Sequence, residues 1–174
     1  FFKESGLKKI FKDRTVKNLV DYCLGVEVGM DTNARKNRGG HSMEDIVEGY
    51  IQEVCNNKGL KYLKEANAEK IKKEWGLDVP VDKSSRRYDF VVKKEEELVV
   101  FETNFYGGGG SKLKSTAGEY RNLYDVLKNK YKFVWITDGF GWNTTKRPLR
   151  ETFNHNEYLF NLSMLEEGIL DYVI

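Results

Sequence analysis

The chain has 174 residues, 40% hydrophobic and 32% charged, with a net charge of +2. That balance belongs to an ordinary globular domain with a proper core and shows no sign of disorder. Its apolar runs are only a few residues long, which excludes a membrane span, and +2 is too small a charge to announce a nucleic-acid partner by itself.

With only Pro80 and Pro148, no low-complexity linker and no internal repeat, residues 1–174 read as one domain. Because the chain opens on Phe1 rather than Met, a preceding segment is expected, and no signal peptide is visible. Cys23 and Cys55 are isolated, and His41 and His155 are their only prospective company, so neither a disulfide framework nor a zinc site is expected. A reducing, cytoplasmic compartment fits that usage.

Residues 14–24 carry Val16, Leu19, Val20 and Cys23 on one helical stripe. A polar loop follows and places Arg35, Lys36 and Arg38 together. Ser42 has the chemistry of an N-cap, with Asp45 at the reciprocal position, for a helix from Met43 to about Cys55. The apolar stripe of that helix is Met43, Ile46, Val47, Tyr50, Ile51 and Val54. Residues 67–75 form a short lysine-rich helix stopped by Gly76. Two strands, Arg87–Val92 and Leu98–Phe105, flank the charged turn Lys93–Glu97. The run Gly107–Gly110 precedes a helix from Thr116 to Lys128, with apolar spacing through Tyr120, Leu123, Tyr124 and Leu127. Residues 131–137 form a buried strand, the glycine-flanked loop Asp138–Trp142 ends it, and Pro148 lies early in a last short helix. The order of helices and strands predicts an α/β fold, a central mixed sheet flanked by helices.

Within the strand pair, Asp89 and Glu102 are the residues that call for an explanation. Carboxylates seldom sit in apolar strands unless something offsets their desolvation, and a bound cation does so well. Two edge acids facing water are the plain alternative. Cutting a phosphodiester needs a nucleophilic water, a shield for charge on the phosphorus and help for the leaving oxygen, and Mg²⁺ held by carboxylates supplies much of this. Two or three acids suffice, since Mg²⁺ keeps several of its waters. The Thr103 carbonyl, at the strand end, is a candidate further oxygen. Glu44 and Glu48, four apart on one helix face, are candidates for another carboxylate, although helix-surface glutamates are commonly only solvated. The glycine run invites comparison with phosphate-cradling loops, but Ser111 stands between Gly110 and Lys112 and breaks the required order. A flexible turn remains one reading of it; a loop against DNA phosphates, beside Lys112 and Lys114, is the other. Most aromatic residues, Phe105 among them, fall on core faces, whereas Phe140 and Trp142 fit either packing or a groove contact.

Asp89 followed by Glu102-x-Asn104 resembles the PD-(D/E)xK nuclease core. More narrowly, the chain is similar to the DpnII/MboI-type restriction endonucleases. The matching stretches are Lys36–Gly40 leading into Met43-Glu44, then Tyr88–Phe90, Phe101–Gly107, Ala117–Tyr120 and Trp135–Trp142. They run in one order from about residue 18 to the end. The resemblance implies a single restriction-endonuclease-like catalytic domain that cleaves double-stranded DNA at GATC with Mg²⁺. It implies that Asp89, Glu102 and the Thr103 carbonyl hold the metal, that Glu44 rather than Glu48 assists, and that Asn104 positions the attacking water. Asn104 departs from the superfamily's usual lysine, which leaves the general base unassigned. Arg35, Lys36, Arg38, Lys112 and Lys114 are the candidate DNA contacts. Because GATC is palindromic, a homodimer with one site on each strand is expected. Adenine N6-methylation is expected to block cutting, with Asn33, Asn37, Asn143 and Asn154 as candidate amide readers. The rivals are another nuclease of the same core, for repair or junction resolution, and a DNA-binding relative without catalysis.

Overall fold

In a computed structural model, residues 43–174 are described. The chain divides into two units, 1–38 and 39–174, and the described residues belong to the second. The expected helix at 14–24, the Ser42 cap and the Arg35–Arg38 loop lie outside the described residues.

The described part begins with helix α1, residues 43–58. Met43, Val47, Ile51 and Val54 are buried on one of its faces, as the four-residue spacing dictates. Ile46, counted in the expected stripe, instead stands exposed. Strand β1, Lys61–Ala66, follows, and then helix α2, Ala68–Trp75. Helix α2 starts where the Asn67 side chain accepts from the Lys70 N–H at 2.9 Å, and it stops at Gly76 in the left-handed region. Strands β2, Tyr88–Lys94, and β3, Glu97–Phe105, are joined by only two residues, with Glu95 at φ 54°. Helix α3 is Ser111–Leu127, β4 is Lys132–Asp138, and a 3₁₀ turn spans Phe140–Thr144. Helix α4, Lys146–His155, strand β5, Tyr158–Phe160, and the short helices α5, Leu162–Glu166, and α6, Leu170–Val173, complete the chain.

The five strands form one mixed sheet in sequential order β1-β2-β3-β4-β5. The pairs β1–β2 and β2–β3 are antiparallel, whereas β3–β4 and β4–β5 are parallel. Parallel pairing of β3 with β4 needs a crossover, and α3 provides it. One face of the sheet packs on α3, where Val91, Leu98, Val100, Phe133 and Trp135 meet Leu113, Ala117, Tyr120 and Leu123. The other face packs on α1 and the C-terminal helices, where Phe90, Val92, Phe101, Val134 and Ile136 meet Val47, Ile51, Leu165 and Val173. The α/β class and the flanked mixed sheet are as expected.

Four local expectations need correction. Strand β1 was not anticipated, because Lys61, Lys64 and Glu65 interrupt any two-residue apolar alternation and only Ala66 is fully buried. Three-residue β5 is too short to leave a periodic signal. The β2–β3 turn is Glu95-Glu96 rather than five residues, since Lys93, Lys94 and Glu97 extend the ladder at the sheet margin. Helix α3 begins five residues before Thr116, which lifts Lys112 and Lys114 out of the loop and into its first turn.

Candidate active site

Antiparallel pairing of Phe90 with Phe101 brings Asp89 and Glu102 across from each other on neighbouring strands. Period-two alternation then places Glu102 with Val100 and Asn104 on the side of the sheet that α3 covers. Asp89 is half-buried, and its Oδ2 accepts from the Thr103 backbone N–H at 2.7 Å and the Thr103 hydroxyl at 3.1 Å. Burial nonetheless pushes its pKa up to about 6, against the lowering effect of the Thr103 bond, and the negative charges of Glu44 and Glu65 reinforce the rise.

Glu102 is buried, and its two oxygens have separate partners. Oε1 accepts from the Arg86 guanidinium at 3.3 Å, and Oε2 accepts from the Tyr120 hydroxyl at 2.9 Å. Burial first, and the Asp89 charge second, push the Glu102 pKa up to about 8 despite Arg86 and Tyr120. Two neighbouring carboxylates with raised proton affinity in a poorly solvated setting are in want of a positive charge.

Asn104 lies one alternation beyond Glu102, and its Oδ1 accepts from the Trp135 indole N–H at 3.0 Å. That bond fixes the amide with its nitrogen away from Trp135, against the Tyr120 side chain. An amide whose oxygen is engaged can donate to a water but cannot take its proton.

Glu44 and Glu48, four residues apart on α1, meet different fates. Glu44 sits in the first turn, half-buried, and its charge is felt at Asp89. Glu48 is engaged by the Tyr62 hydroxyl at 3.1 Å and the Lys64 ammonium at 2.5 Å, and the Lys64 bond holds its carboxyl below the usual range. The charge of Glu44 thus reaches Asp89, whereas Glu48 is tied to β1.

Lys112 and Lys114 stand exposed in the first turn of α3, just beyond the C-terminal end of β3 that carries Asn104. The preceding glycine loop is packed against its neighbours. A Cβ at Gly139 would lie 2.3 Å from the Tyr106 carbonyl oxygen, and one at Gly141 would lie 2.4 Å from that of Gly108, so only glycine lets the two loops approach this closely. Trp142 beneath them is buried, edge-on to Tyr106 and Trp135, and donates to the Thr137 hydroxyl at 2.9 Å. Phe140 is 82% exposed. The two aromatic residues of that loop thus divide between packing and presentation, and Phe105 is exposed where a core position was expected. Asn143 and Asn154 are exposed, whereas Asn33 and Asn37 lie outside the described residues. His155 meets Asp125 at 3.0 Å at the surface, away from the acid pair.

Sequence reasoning missed Arg86, Asp82 and Glu119, and it treated Tyr120 as packing alone. Arg86 is 5% exposed, donates to both Asp82 oxygens at 2.8 and 2.5 Å, and reaches Glu119 at 2.6 Å. The available signal was Arg86 itself, an arginine just ahead of the acid-bearing strand, but no periodicity marks a residue in a loop.

A family model for the DpnII restriction endonuclease matches residues 1–172. The chain belongs to the DpnII restriction endonuclease family. It is 53% identical to the type II restriction enzyme MjaIII of Methanocaldococcus jannaschii, with 100% of the chain and 62% of that enzyme aligned. To DpnII of Streptococcus pneumoniae it is 42% identical, over 98% of the chain and 61% of the relative. To MboI of Moraxella bovis it is 41% identical, over 95% and 57%. The chain thus spans about three fifths of the length of these curated relatives. No solved structure matches it.

Membership of this family implies a divalent metal cofactor, and the donor set suits one. The paired acids offer only oxygen, in a setting where burial disfavours the charge of both. Among the described residues no group of three or more His, Cys, Asp or Glu is placed to hold a metal ion. A hard cation that completes its shell with waters and a substrate phosphate needs no third carboxylate. Among these residues no helix is long and apolar enough to cross a membrane.

Proposed function

We propose that this chain is the catalytic part of a type II restriction endonuclease that hydrolyses both strands of double-stranded DNA at GATC with Mg²⁺. One observation carries the reading: within a member of this family, a half-buried and a buried acid from adjacent strands stand across from each other, both with raised pKa, and the charge of Asp89 adds to the rise at Glu102. The GATC site rests on the resemblance to DpnII/MboI-type enzymes. Its two-fold symmetry favours a homodimer working in the cytoplasm, one copy per strand.

Asp89 and Glu102 would hold the metal, with the Thr103 carbonyl as a further oxygen and Glu44 assisting through its charge. Bound there, Mg²⁺ supplies a shield for charge developing on the phosphate and eases deprotonation of the attacking water. The protein's part is orientation. Thr103 fixes Asp89 through two hydrogen bonds, while Arg86 and Tyr120 fix Glu102 from opposite sides. The Asn104 amide, its oxygen held by Trp135, presents N–H groups that orient a water's oxygen. Lys112 and Lys114 would lie along the phosphate backbone, as would Arg35, Lys36 and Arg38. The test is to map the ends made from a plasmid of known sequence with and without Mg²⁺. Cuts confined to GATC and dependent on Mg²⁺ support the proposal; cuts elsewhere, or none, refute it.

A further inference from the structure

The position two residues after Glu102 is Asn104, which carries no charge and has its oxygen committed to Trp135. A cation nonetheless reaches Glu102. The Arg86 guanidinium comes from the loop before β2 and lies almost wholly out of solvent. Its fork is divided unequally. Nε and one terminal nitrogen grip both oxygens of Asp82 at 2.8 and 2.5 Å, and that same nitrogen reaches Glu119 at 2.6 Å. The remaining nitrogen meets Glu102 at 3.3 Å, the longest contact of the set.

This inequality has a physical meaning. A buried arginine left alone with one carboxylate closes onto it in a short bidentate pair. Here Asp82 and Glu119 take the short bonds and hold the guanidinium back, while Lys83 supports Glu119 at 2.7 Å. Glu102 is left oriented but not neutralised, and the Tyr120 hydroxyl steadies its other oxygen.

We propose that Arg86, restrained by Asp82 and Glu119, is a positioning residue for phosphodiester cleavage. It supplies to Glu102 the fixed positive charge that Asn104 lacks, without occupying the place where a divalent cation is held. This role rests on the metal-dependent cleavage proposed for the chain. Two effects of opposite sign are expected from it. A neutral residue in place of Arg86 removes a cation beside the metal's ligand, so Mg²⁺ binds more tightly even as turnover falls. Weakening the restraint instead lets Arg86 close onto Glu102, so Mg²⁺ binds more weakly and turnover falls as well. A part played only in folding moves metal affinity the same way in both cases.

The experiment is calorimetric titration of Mg²⁺ into metal-free parent, Arg86→Met, Arg86→Lys and Glu119→Gln proteins, with kcat and KM measured on a GATC duplex. Arg86→Met is expected to bind Mg²⁺ about 3- to 10-fold more tightly and to lose about 100-fold in kcat, with KM for DNA within about 3-fold. Arg86→Lys, which keeps the charge but not the fork, should recover part of kcat. Glu119→Gln, at a half-exposed carboxylate, keeps the protein testable should Arg86→Met fail to fold, and should weaken Mg²⁺ binding about 3- to 10-fold. Unchanged Mg²⁺ affinity in Glu119→Gln, or a shift of the same sign in both variants, overturns the proposal. Failure of the parent itself to cut DNA would instead strike the functional reading, because the metal titrations stand without any cleavage.

Discussion

The two faces of β2 and β3 are built from the same few residues yet obey opposite rules. Phe90, Val92, Val99 and Phe101 point one way and are buried beneath α1 and the C-terminal helices. One residue out of phase, Glu102 and Asn104 lie on the other side, where Tyr120 of α3 meets Glu102, and Asp89 stands across from Glu102 on β2. The first face gains free energy from every buried methylene. The second spends some of that gain in keeping two acids ionisable where water is scarce. A strand alternation that stabilises on one side and destabilises on the other is the mark of a site retained for chemistry.

Substitutions on the two faces should therefore separate activity from stability. The largest effect expected is Asp89→Asn, which removes charge but little shape and should lower cleavage by about 10³-fold or more while DNA is still bound. Cleavage at the parental rate would remove Asp89 from the site. On the other face, Phe101→Ala should cost about 3–5 kcal/mol in denaturant unfolding, with activity per folded molecule preserved. A Phe101 variant that stays stable but inactive would show that the faces are not independent.

The charged face also dictates the pH dependence of the metal-free protein. Asp89 and Glu102 have folded pKa values, about 6 and about 8, above their ordinary ones. Between the ordinary and the raised values the folded state binds more protons, so stability falls as pH rises. From pH 5 to pH 9 the metal-free protein should lose about 5 kcal/mol, Asp89→Asn should lose less, and a divalent cation should reverse the trend. Stability that grew across that window without metal would mean the acids are compensated by some other group. The Glu44 and Glu48 pair offers a smaller contrast. Glu44→Ala should reduce turnover about 10-fold, whereas Glu48→Ala should cost about 1 kcal/mol through the lost Tyr62 and Lys64 bonds and leave turnover near parental. The reverse order would exchange their roles. The smallest change in stability is expected at Phe140, 82% exposed, where Ala should alter unfolding by no more than about 0.5 kcal/mol.

Legibility in the sequence followed the same division. Elements that bury one periodic face were read with little error, as with α1 and α2, and Asp89 and Glu102 stood out because acids in apolar strands break the local rule. What escaped was set by tertiary contact. Strand β1 carries Lys61, Lys64 and Glu65 because it lies at the sheet edge, and its pairing with β2 is invisible until the fold assembles. Arg86 lies in a loop and acquires its meaning only when Asp82, Glu102 and Glu119 converge on it from three segments. Tyr120 occupies a core position of α3 and packs as its spacing requires, so nothing in its periodicity marks the hydroxyl that reaches Glu102.

The central claim is that Asp89 and Glu102 share one divalent cation. It is tested most directly by titrating Mg²⁺ into the metal-free parent, Asp89→Asn and Glu102→Gln, and following bound metal by calorimetry. The account predicts one site in the parent and a loss of at least about 10-fold in affinity in each variant, since each removes a charged oxygen ligand from the same ion. Parental affinity in either variant would contradict it.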